Sequence, residues 1–160
     1  MRWPSEKDAA DFYGDPRGGD GQLSDAWYRA NIVRLVPPFP LVYGSDKVLR
    51  VAVHRKCAVA LYDALTLLTL YPNWDDGRTR LFGGSFNFRP KRGVAELSMH
   101  AYGCAFDFDP LNNPMRPELT PTGFQSDSPI VRAFRSVGAE WGGDWRGRKD
   151  PMHFQFARTT

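Results

Sequence analysis

The last third of the chain contains two short segments, 105–109 and 153–157, in which phenylalanine alternates with other residues. Successive side chains of a β-strand point to opposite faces, so each segment predicts a strand with one phenylalanine face and one polar face. The polar face carries Asp107 in the first strand and His153 in the second. If both phenylalanine faces turn to the core, we expect Asp107 and His153 to lie side by side.

A third polar residue, His100, precedes the first of these strands. Gly103 lies between His100 and Asp107 and permits a turn that returns the imidazole to the strand. Two imidazoles and one carboxylate suit zinc better than calcium or magnesium, and a catalytic zinc site keeps one position for water. These residues therefore predict a catalytic zinc site. A structural histidine–aspartate pair is the alternative, because the helical zinc-protease motif with two histidines four residues apart is absent.

The remaining pattern predicts an α+β domain with many loops. Strand, helix, strand and short helix are expected at 47–54, 55–70, 81–88 and 128–136, in that order. Residues 140–145 read as a loop of glycine and tryptophan. Residues 1–44 are rich in glycine, proline and charge, which predicts an extended arm that wraps the domain. His54 ends the first strand and is expected to form structural hydrogen bonds.

The composition narrows the class of protein. A chain of 160 residues is one ordinary domain, and 42% hydrophobic residues exclude global disorder. A net charge of +3 hints at an anionic partner such as a cell-wall polymer. The basic residues are scattered and match no nucleic-acid-binding motif, so no nucleic-acid partner is expected.

Cysteine content and hydropathy bear on the compartment. Cys57 and Cys104 predict buried free thiols, with no disulfide framework. The longest apolar stretch, 57–71, is interrupted by Asp63 and is too short to span a bilayer, so no membrane insertion is expected. The first ten residues lack the apolar core of a secretory signal, and we expect synthesis in the bacterial cytoplasm without one.

Three segments together resemble a known enzyme family. Segment 98–107 reads Ser-x-His-x-x-Gly-x-Ala-x-Asp, 141–145 reads Trp-Gly-Gly-Asp-Trp, and 150–154 reads Asp-Pro-Met-His-Phe. This order resembles the zinc D-alanyl-D-alanine carboxypeptidase / L-alanyl-D-glutamate peptidase family, and in pattern it is similar to phage endolysins of the L-alanyl-D-glutamate type. Weaker similarity continues upstream, so the resemblance covers nearly the whole of 1–160 as one zinc peptidase domain.

The resemblance implies a role for each candidate residue. His100, Asp107 and His153 would hold zinc, and Asp150 would be the general base. Capping of the last turn is the alternative for Asp150. Arg89 would stabilise negative charge on the peptide oxygen, although Arg92 is close enough to be the catalytic arginine instead.

The resemblance also implies a substrate cleft and a fold. Ser98 would support the site by hydrogen bonding, and Tyr102, Trp141 and Trp145 would line the cleft, with simple packing as the alternative for these side chains. Cys104 departs from the family pattern, and its place in the strand indicates buried filler. The implied fold is α+β and hedgehog-like, with a small antiparallel sheet that bears zinc on one face and helices on the other.

The implied function is hydrolysis of the peptidoglycan stem peptide at the L-alanyl-D-glutamate bond, by a monomer released to the wall through a holin-like route. A D-alanyl-D-alanine carboxypeptidase or dipeptidase uses the same ligands and is the second reading. A noncatalytic zinc-stabilised wall-binding module is the third, although such a module would typically lack Asp150 or Arg89.

Overall fold

The structure is a computed structural model that describes residues 2–116 and 118–159. Its helices and strands are α1 (Ala9–Tyr13), α2 (Asp25–Asn31), β1 (Ile32–Leu35), β2 (Leu41–Tyr43), β3 (Asp46–Val48), β4 (Val51–His54), α3 (Ala58–Leu68), β5 (Phe82–Gly84), β6 (Ala105–Phe108), α4 (Pro129–Ser136), β7 (Glu140–Trp141) and β8 (His153–Gln155). Short 3₁₀ turns cover Glu6–Asp8, Met99–Tyr102 and Gly142–Asp144.

The principal sheet is antiparallel and has the strand order β5-β6-β8-β7. Strands β6 and β8 pair in the register that the alternating segments require, with Asp107 opposite His153 and Phe106 opposite Phe154. A shift of one residue would move the phenylalanines to the polar face, so their burial fixes this register. The two predicted strands are confirmed.

Helices cover the phenylalanine face of this sheet. Phe134 of α4 packs against Phe154 and Phe108, with ring centroids 4.5 Å and 5.7 Å apart. All three rings are fully buried, and each buried side chain of this kind contributes about 1.5–3 kcal/mol relative to an exposed one. The α+β arrangement, with helices on the face away from the polar residues, is confirmed.

Two of the helices have sequence features that explain why they form. In α3 the buried residues Leu61, Ala64, Leu65 and Leu68 repeat at helical spacing. Pro129 occupies the first turn of α4, where its missing N–H is not needed. Among the described helices, none combines the length and apolar character needed to cross a bilayer.

The N-terminal segment wraps the domain but is not simply extended. It contains α1, α2, β1 and β2, because its apolar side chains dock on the core and hold local structure. The Trp3 indole donates to the Val137 carbonyl over 3.1 Å, and the Tyr13 hydroxyl donates to the Phe156 carbonyl over 2.5 Å. These two hydrogen bonds join the N-terminal segment to residues 137 and 156.

Two predicted strands are shorter than expected. The stretch 47–54 divides between β3, which pairs with β2, and β4, which pairs with β1, and Leu49 at the break is 73% exposed. The stretch 81–88 forms only β5, because its pairing with β6 shifts register at Gly84, where φ is +140°. The predicted loop at 140–145 begins with the short strand β7.

His54 is buried and forms structural hydrogen bonds, as expected. Its Nδ1 accepts from the Lys56 backbone N–H over 3.1 Å, so its Nε2–H donates to the Tyr13 carbonyl, also over 3.1 Å. Burial lowers the pKa of His54 to about 4. The imidazole is therefore neutral in the folded protein across the neutral and mildly acidic range.

This burial predicts a specific acid sensitivity. Below about pH 6.5 the unfolded chain protonates His54 and the folded chain does not, so the free energy of unfolding should decrease as pH falls toward 4, by about 1 kcal/mol per pH unit. Urea unfolding of the metal-free protein at several pH values measures this slope. His54→Gln should flatten it, and an unchanged slope in the variant would assign the acid sensitivity to other groups.

Candidate metal centre

Three side chains converge on the polar face of the sheet. His100 Nε2 lies 3.3 Å from Asp107 Oδ2, His153 Nδ1 lies 3.1 Å from Asp107 Oδ1, and the two imidazole nitrogens are 3.2 Å apart. The potential ligand atoms of the three residues all lie within 4.8 Å of one another. The structure therefore brings together the residues that the alternating pattern and the preceding turn predicted.

Local structure positions each member. Asp107 and His153 are directly opposite across β6 and β8. His100 belongs to the 3₁₀ turn before β6, where its backbone N–H donates to Ser98 Oγ over 3.4 Å. Gly103 ends that turn with φ +69°, and a Cβ atom there would lie 2.7 Å from Ile32 Cδ1. Only glycine accommodates both the backbone conformation and this close approach.

Hydrogen bonds on the outer side of each imidazole fix its tautomer. His100 Nδ1–H donates to the Ser85 carbonyl over 2.6 Å. His153 Nε2–H donates to Gln155 Oε1 over 2.9 Å, while the Gln155 amide nitrogen donates to Glu6 and to the Ala157 carbonyl. The amide oxygen must therefore face His153, and the inner nitrogen of each imidazole carries a lone pair.

This arrangement suits a cation. Two imidazole lone pairs and the Asp107 carboxylate face one point, and three acceptors at hydrogen-bond distance repel one another unless a proton or a metal ion lies between them. Burial disfavours the charged forms of both Asp107 and His153, but the hydrogen bonds among Asp107, His100 and His153 outweigh this effect. They lower the pKa of Asp107 and raise that of His153. A metal ion would replace the proton that the cluster otherwise needs.

Asp150 is a buried carboxylate beside this cluster. Its Oδ1 atom has no hydrogen-bond partner among the described residues, although buried polar atoms almost always have one. Burial raises the pKa of Asp150. The backbone is held at both sides, since Asp150 N–H donates to the Gly142 carbonyl and His153 N–H donates to the Asp150 carbonyl, each over 3.0 Å. An unpartnered carboxylate of this kind is available to take a proton.

Two cavities meet at the cluster. The larger has a volume of about 590 Å³ and includes the three clustered residues together with Asp150. The smaller has a volume of about 230 Å³ and is lined mainly by residues 83–87. His100, Asp107 and Arg89 line both cavities, so the cluster lies at the centre of a longer cleft.

Residues 92–156 match the family model described as D-alanyl-D-alanine carboxypeptidase. The matched segment contains His100, Asp107, Asp150 and His153, which are the residues with the chemistry just described. The match covers less than half of the chain and supports a peptidase. No curated protein and no solved structure matches the chain.

The other predicted site residues divide between the cleft and the core. Arg89, Arg92, Ser98 and Trp145 line the larger cavity. Ser98 caps the turn that carries His100, since its Oγ accepts a hydrogen bond from the His100 backbone N–H.

Two predicted cleft residues are placed elsewhere. Tyr102 and Trp141 are buried in the core and are not among the described residues that line either cavity. The Trp141 indole donates to the Pro151 carbonyl over 2.7 Å, so it braces the backbone beside Asp150. The expectation that they line the cleft is corrected in favour of packing, because their strand and turn positions direct them inward.

Cys104 is also buried in the core, where its thiol donates to the Met99 carbonyl over 3.4 Å. It is not part of the metal cluster, as expected for buried filler.

Three residues that the structure places at the cleft were not predicted from the sequence. Gln155 and Glu6 form the outer support of His153, and Arg148 lines the larger cavity. Gln155 was detectable as the residue two positions after His153 on the same strand face. Glu6 and Arg148 come from distant or irregular segments and leave no periodic signal.

Proposed function

We propose that this protein is a zinc-dependent peptidoglycan hydrolase that cleaves the stem peptide at the L-alanyl-D-glutamate bond. The observation that carries the proposal is the convergence of three metal-ligand side chains beside a buried, unpartnered carboxylate. The carboxypeptidase family match spans these residues and supports a peptidase. A zinc-stabilised wall-binding module would gain nothing from burying Asp150, since burial of an uncompensated carboxylate costs stability.

Each residue has a definite task in the proposed hydrolysis. His100, Asp107 and His153 would hold a zinc ion, which supplies a Lewis acid that lowers the pKa of water and polarises a carbonyl. Asp150 accepts a proton from the attacking water as the water oxygen bonds to the carbonyl carbon. Asp150 then gives that proton to the amine nitrogen as the C–N bond breaks. Its raised pKa suits this exchange, because a carboxylate whose pKa moves toward neutral pH is a stronger base and can both take and return a proton.

Arg89 is the better candidate for the arginine that stabilises negative charge on the peptide oxygen. It lines both cavities together with His100 and Asp107, whereas Arg92 is exposed and lines only the larger one. In the proposed complex its guanidinium would lie beside the oxygen of a peptide bond held at the cluster. This charge favours the transition state over the uncharged peptide.

The second candidate is a D-alanyl-D-alanine carboxypeptidase, which the printed description of the matching family favours. Purified peptidoglycan digested with the zinc-loaded protein separates the two. Mass spectrometry of new N-terminal D-glutamate supports the endopeptidase, and released D-alanine supports the carboxypeptidase. An intact wall in the presence of bound zinc would refute both. Action at the wall as a monomer, after holin-like release, belongs to the same proposal.

The outer support of His153 makes a separate prediction about zinc affinity. Gln155→Leu removes the acceptor that fixes the His153 tautomer, so the dissociation constant for zinc should rise about tenfold to a hundredfold. Competition with a chromogenic chelator measures this change without reference to activity.

An exchange variant provides the control for that measurement. Gln155→Glu combined with Glu6→Gln keeps an acceptor at position 155 for His153. The amide at position 6 then donates to the carboxylate at position 155, which reverses the direction of the wild-type hydrogen bond between them. Zinc affinity should return to within a few-fold of the wild type. Equal affinity in Gln155→Leu and the wild type would show that the hydrogen bond does not orient His153.

A further inference from the structure

The larger cavity carries more positive charge than its own acids can neutralise. Four basic side chains line it, namely Arg89, Lys91, Arg92 and Arg148. Lys91 pairs with Glu6 over 2.5 Å. Among the described residues, no carboxylate oxygen lies within 4.0 Å of the three arginines.

Ion pairs engage only some of the arginines. Five that lie away from the cavity each form an ion pair with an aspartate, namely Arg17, Arg29, Arg78, Arg80 and Arg135, and the other arginines have no carboxylate oxygen within 4.0 Å among the described residues. The acids on the cavity wall are already engaged or close to another charge. Glu6 is paired with Lys91, Asp107 contacts both histidines, and Asp150 is buried beside the same histidines, where burial raises its pKa and the charge of Arg92 is only a minor opposing influence. Within the described part of the chain, Arg148 has no carboxylate partner.

Arg148 lies on a braced segment of the cavity rim. The next residue, Lys149, exchanges backbone hydrogen bonds with Arg116 over 2.7 Å and 3.0 Å. The Lys149 ammonium also donates to the carbonyls of Gly143 and Trp145, over 3.1 Å and 3.2 Å. The only hydrogen bond of the Arg148 guanidinium within the described residues is to the Met115 carbonyl, and at 3.4 Å it is long. The backbone of this segment is therefore held in place, while most N–H donors of the Arg148 guanidinium remain available to a ligand.

We propose that Arg148 binds a carboxylate of the substrate beside the scissile bond and thereby selects acidic peptides. The inference rests on the proposed peptidase function. A guanidinium can bind a carboxylate through two parallel hydrogen bonds, which a neutral amide cannot match. Trp145, Met115 and Pro114 line the same cavity and offer apolar contacts to the rest of a bound peptide. The carboxylate belongs either to an acidic residue within the peptide or to its C-terminus.

The test compares binding of matched peptides to the zinc-loaded Asp150→Asn protein, in which hydrolysis is suppressed. One peptide has D-glutamate with a free α-carboxylate after L-alanine and an amidated C-terminus. The second has that α-carboxylate replaced by a carboxamide. A third has the internal carboxamide and a free C-terminal carboxylate. Isothermal titration gives each dissociation constant.

We expect the preferred carboxylate peptide to bind about tenfold to a hundredfold more tightly than the carboxamide peptide. Adding Arg148→Gln should reduce this ratio to near one and leave binding of the carboxamide peptide unchanged. Arg146→Gln is the matched control, since Arg146 is exposed in the same segment but is not among the described residues that line the cavity. It should keep the full ratio. Preference for the first peptide over the third identifies the internal acid, and the reverse identifies the C-terminus.

Two outcomes would overturn the inference. One is an equal ratio with and without Arg148, and the other is an equal loss of affinity for all three peptides. Hydrolysis of the same peptides by the wild type is measured in parallel. Selective binding without hydrolysis would refute the proposed function and leave the carboxylate site standing, whereas hydrolysis with no selectivity would do the opposite.

Discussion

Asp150→Asn is expected to slow peptidoglycan hydrolysis by about a hundredfold to ten-thousandfold, which is the usual contribution of general acid–base catalysis. The amide keeps the size of the carboxylate but cannot take a proton from water. Zinc affinity should change little, because Asp150 is not one of the three clustered ligands. Release of soluble peptide, measured with zinc content on the same samples, tests this expectation.

The same variant makes a second, structural statement. Burial raises the pKa of Asp150 and its Oδ1 has no partner, so the charged form is held in place at a cost. The free energy of unfolding of Asp150→Asn should equal or exceed that of the wild type at neutral pH. A loss of both stability and zinc binding would indicate a supporting role in the fold instead of a catalytic one.

Asp144→Asn is the matched control for Asp150→Asn. Asp144 lies in the neighbouring 3₁₀ turn, is exposed, and pairs with Arg135 over 2.7 Å. Exposed ion pairs contribute about 0–1 kcal/mol, so this variant should keep full activity and lose little stability. A comparable loss of activity in both variants would point to disturbance of the whole segment.

Asp107→Asn is expected to abolish stabilisation by zinc. For the wild type, zinc at a hundred times its dissociation constant should raise the free energy of unfolding by about 2.7 kcal/mol. The variant removes the one negative charge among the three ligand side chains, so its unfolding midpoint should not respond to the same zinc concentration. Thermal unfolding with and without zinc measures this difference, and hydrolysis should be lost with it.

Asp109→Asn provides the control for the metal ligand. Asp109 follows β6 by one residue, is fully buried, and accepts hydrogen bonds from Asn112 and Asn113. Its φ of +46° suits asparagine as well as aspartate. The zinc response should persist in this variant. An equal zinc response in Asp107→Asn and the wild type would contradict the assignment of Asp107 as a ligand.

The parts of the site that lie on regular strands were predictable from the sequence. Alternation placed Asp107 and His153 on the polar face, and burial of the phenylalanines then fixed the register that makes them neighbours. The glycine at position 103 indicated the turn that returns His100 to the strand. The resemblance added Asp150, which has no periodic signal of its own.

The predictions that were wrong concern segments whose structure depends on contacts with residues far away in the sequence. Nothing within 47–54 indicates that its two halves pair with different strands, because strand pairing depends on β1 and β2. Trp141 seemed suited to a cleft, yet its indole is drawn inward by the Pro151 carbonyl and the core. The glycine-rich sequence after Trp141 does not indicate that the Trp141 side chain points into the core.

The sequence alone predicted β6, β8, the two main helices and the side-chain types of the candidate site, because these follow from local periodicity and from the chemistry of single side chains. Tertiary structure decided which nitrogen of each imidazole faces the cluster, through Ser85, Gln155 and Glu6. It also decided that Asp150 is buried with no hydrogen-bond partner for Oδ1 among the described residues, and that Arg148 lines the cavity. These properties depend on contacts between segments far apart in the chain, and such contacts exist only once the core has brought the segments together.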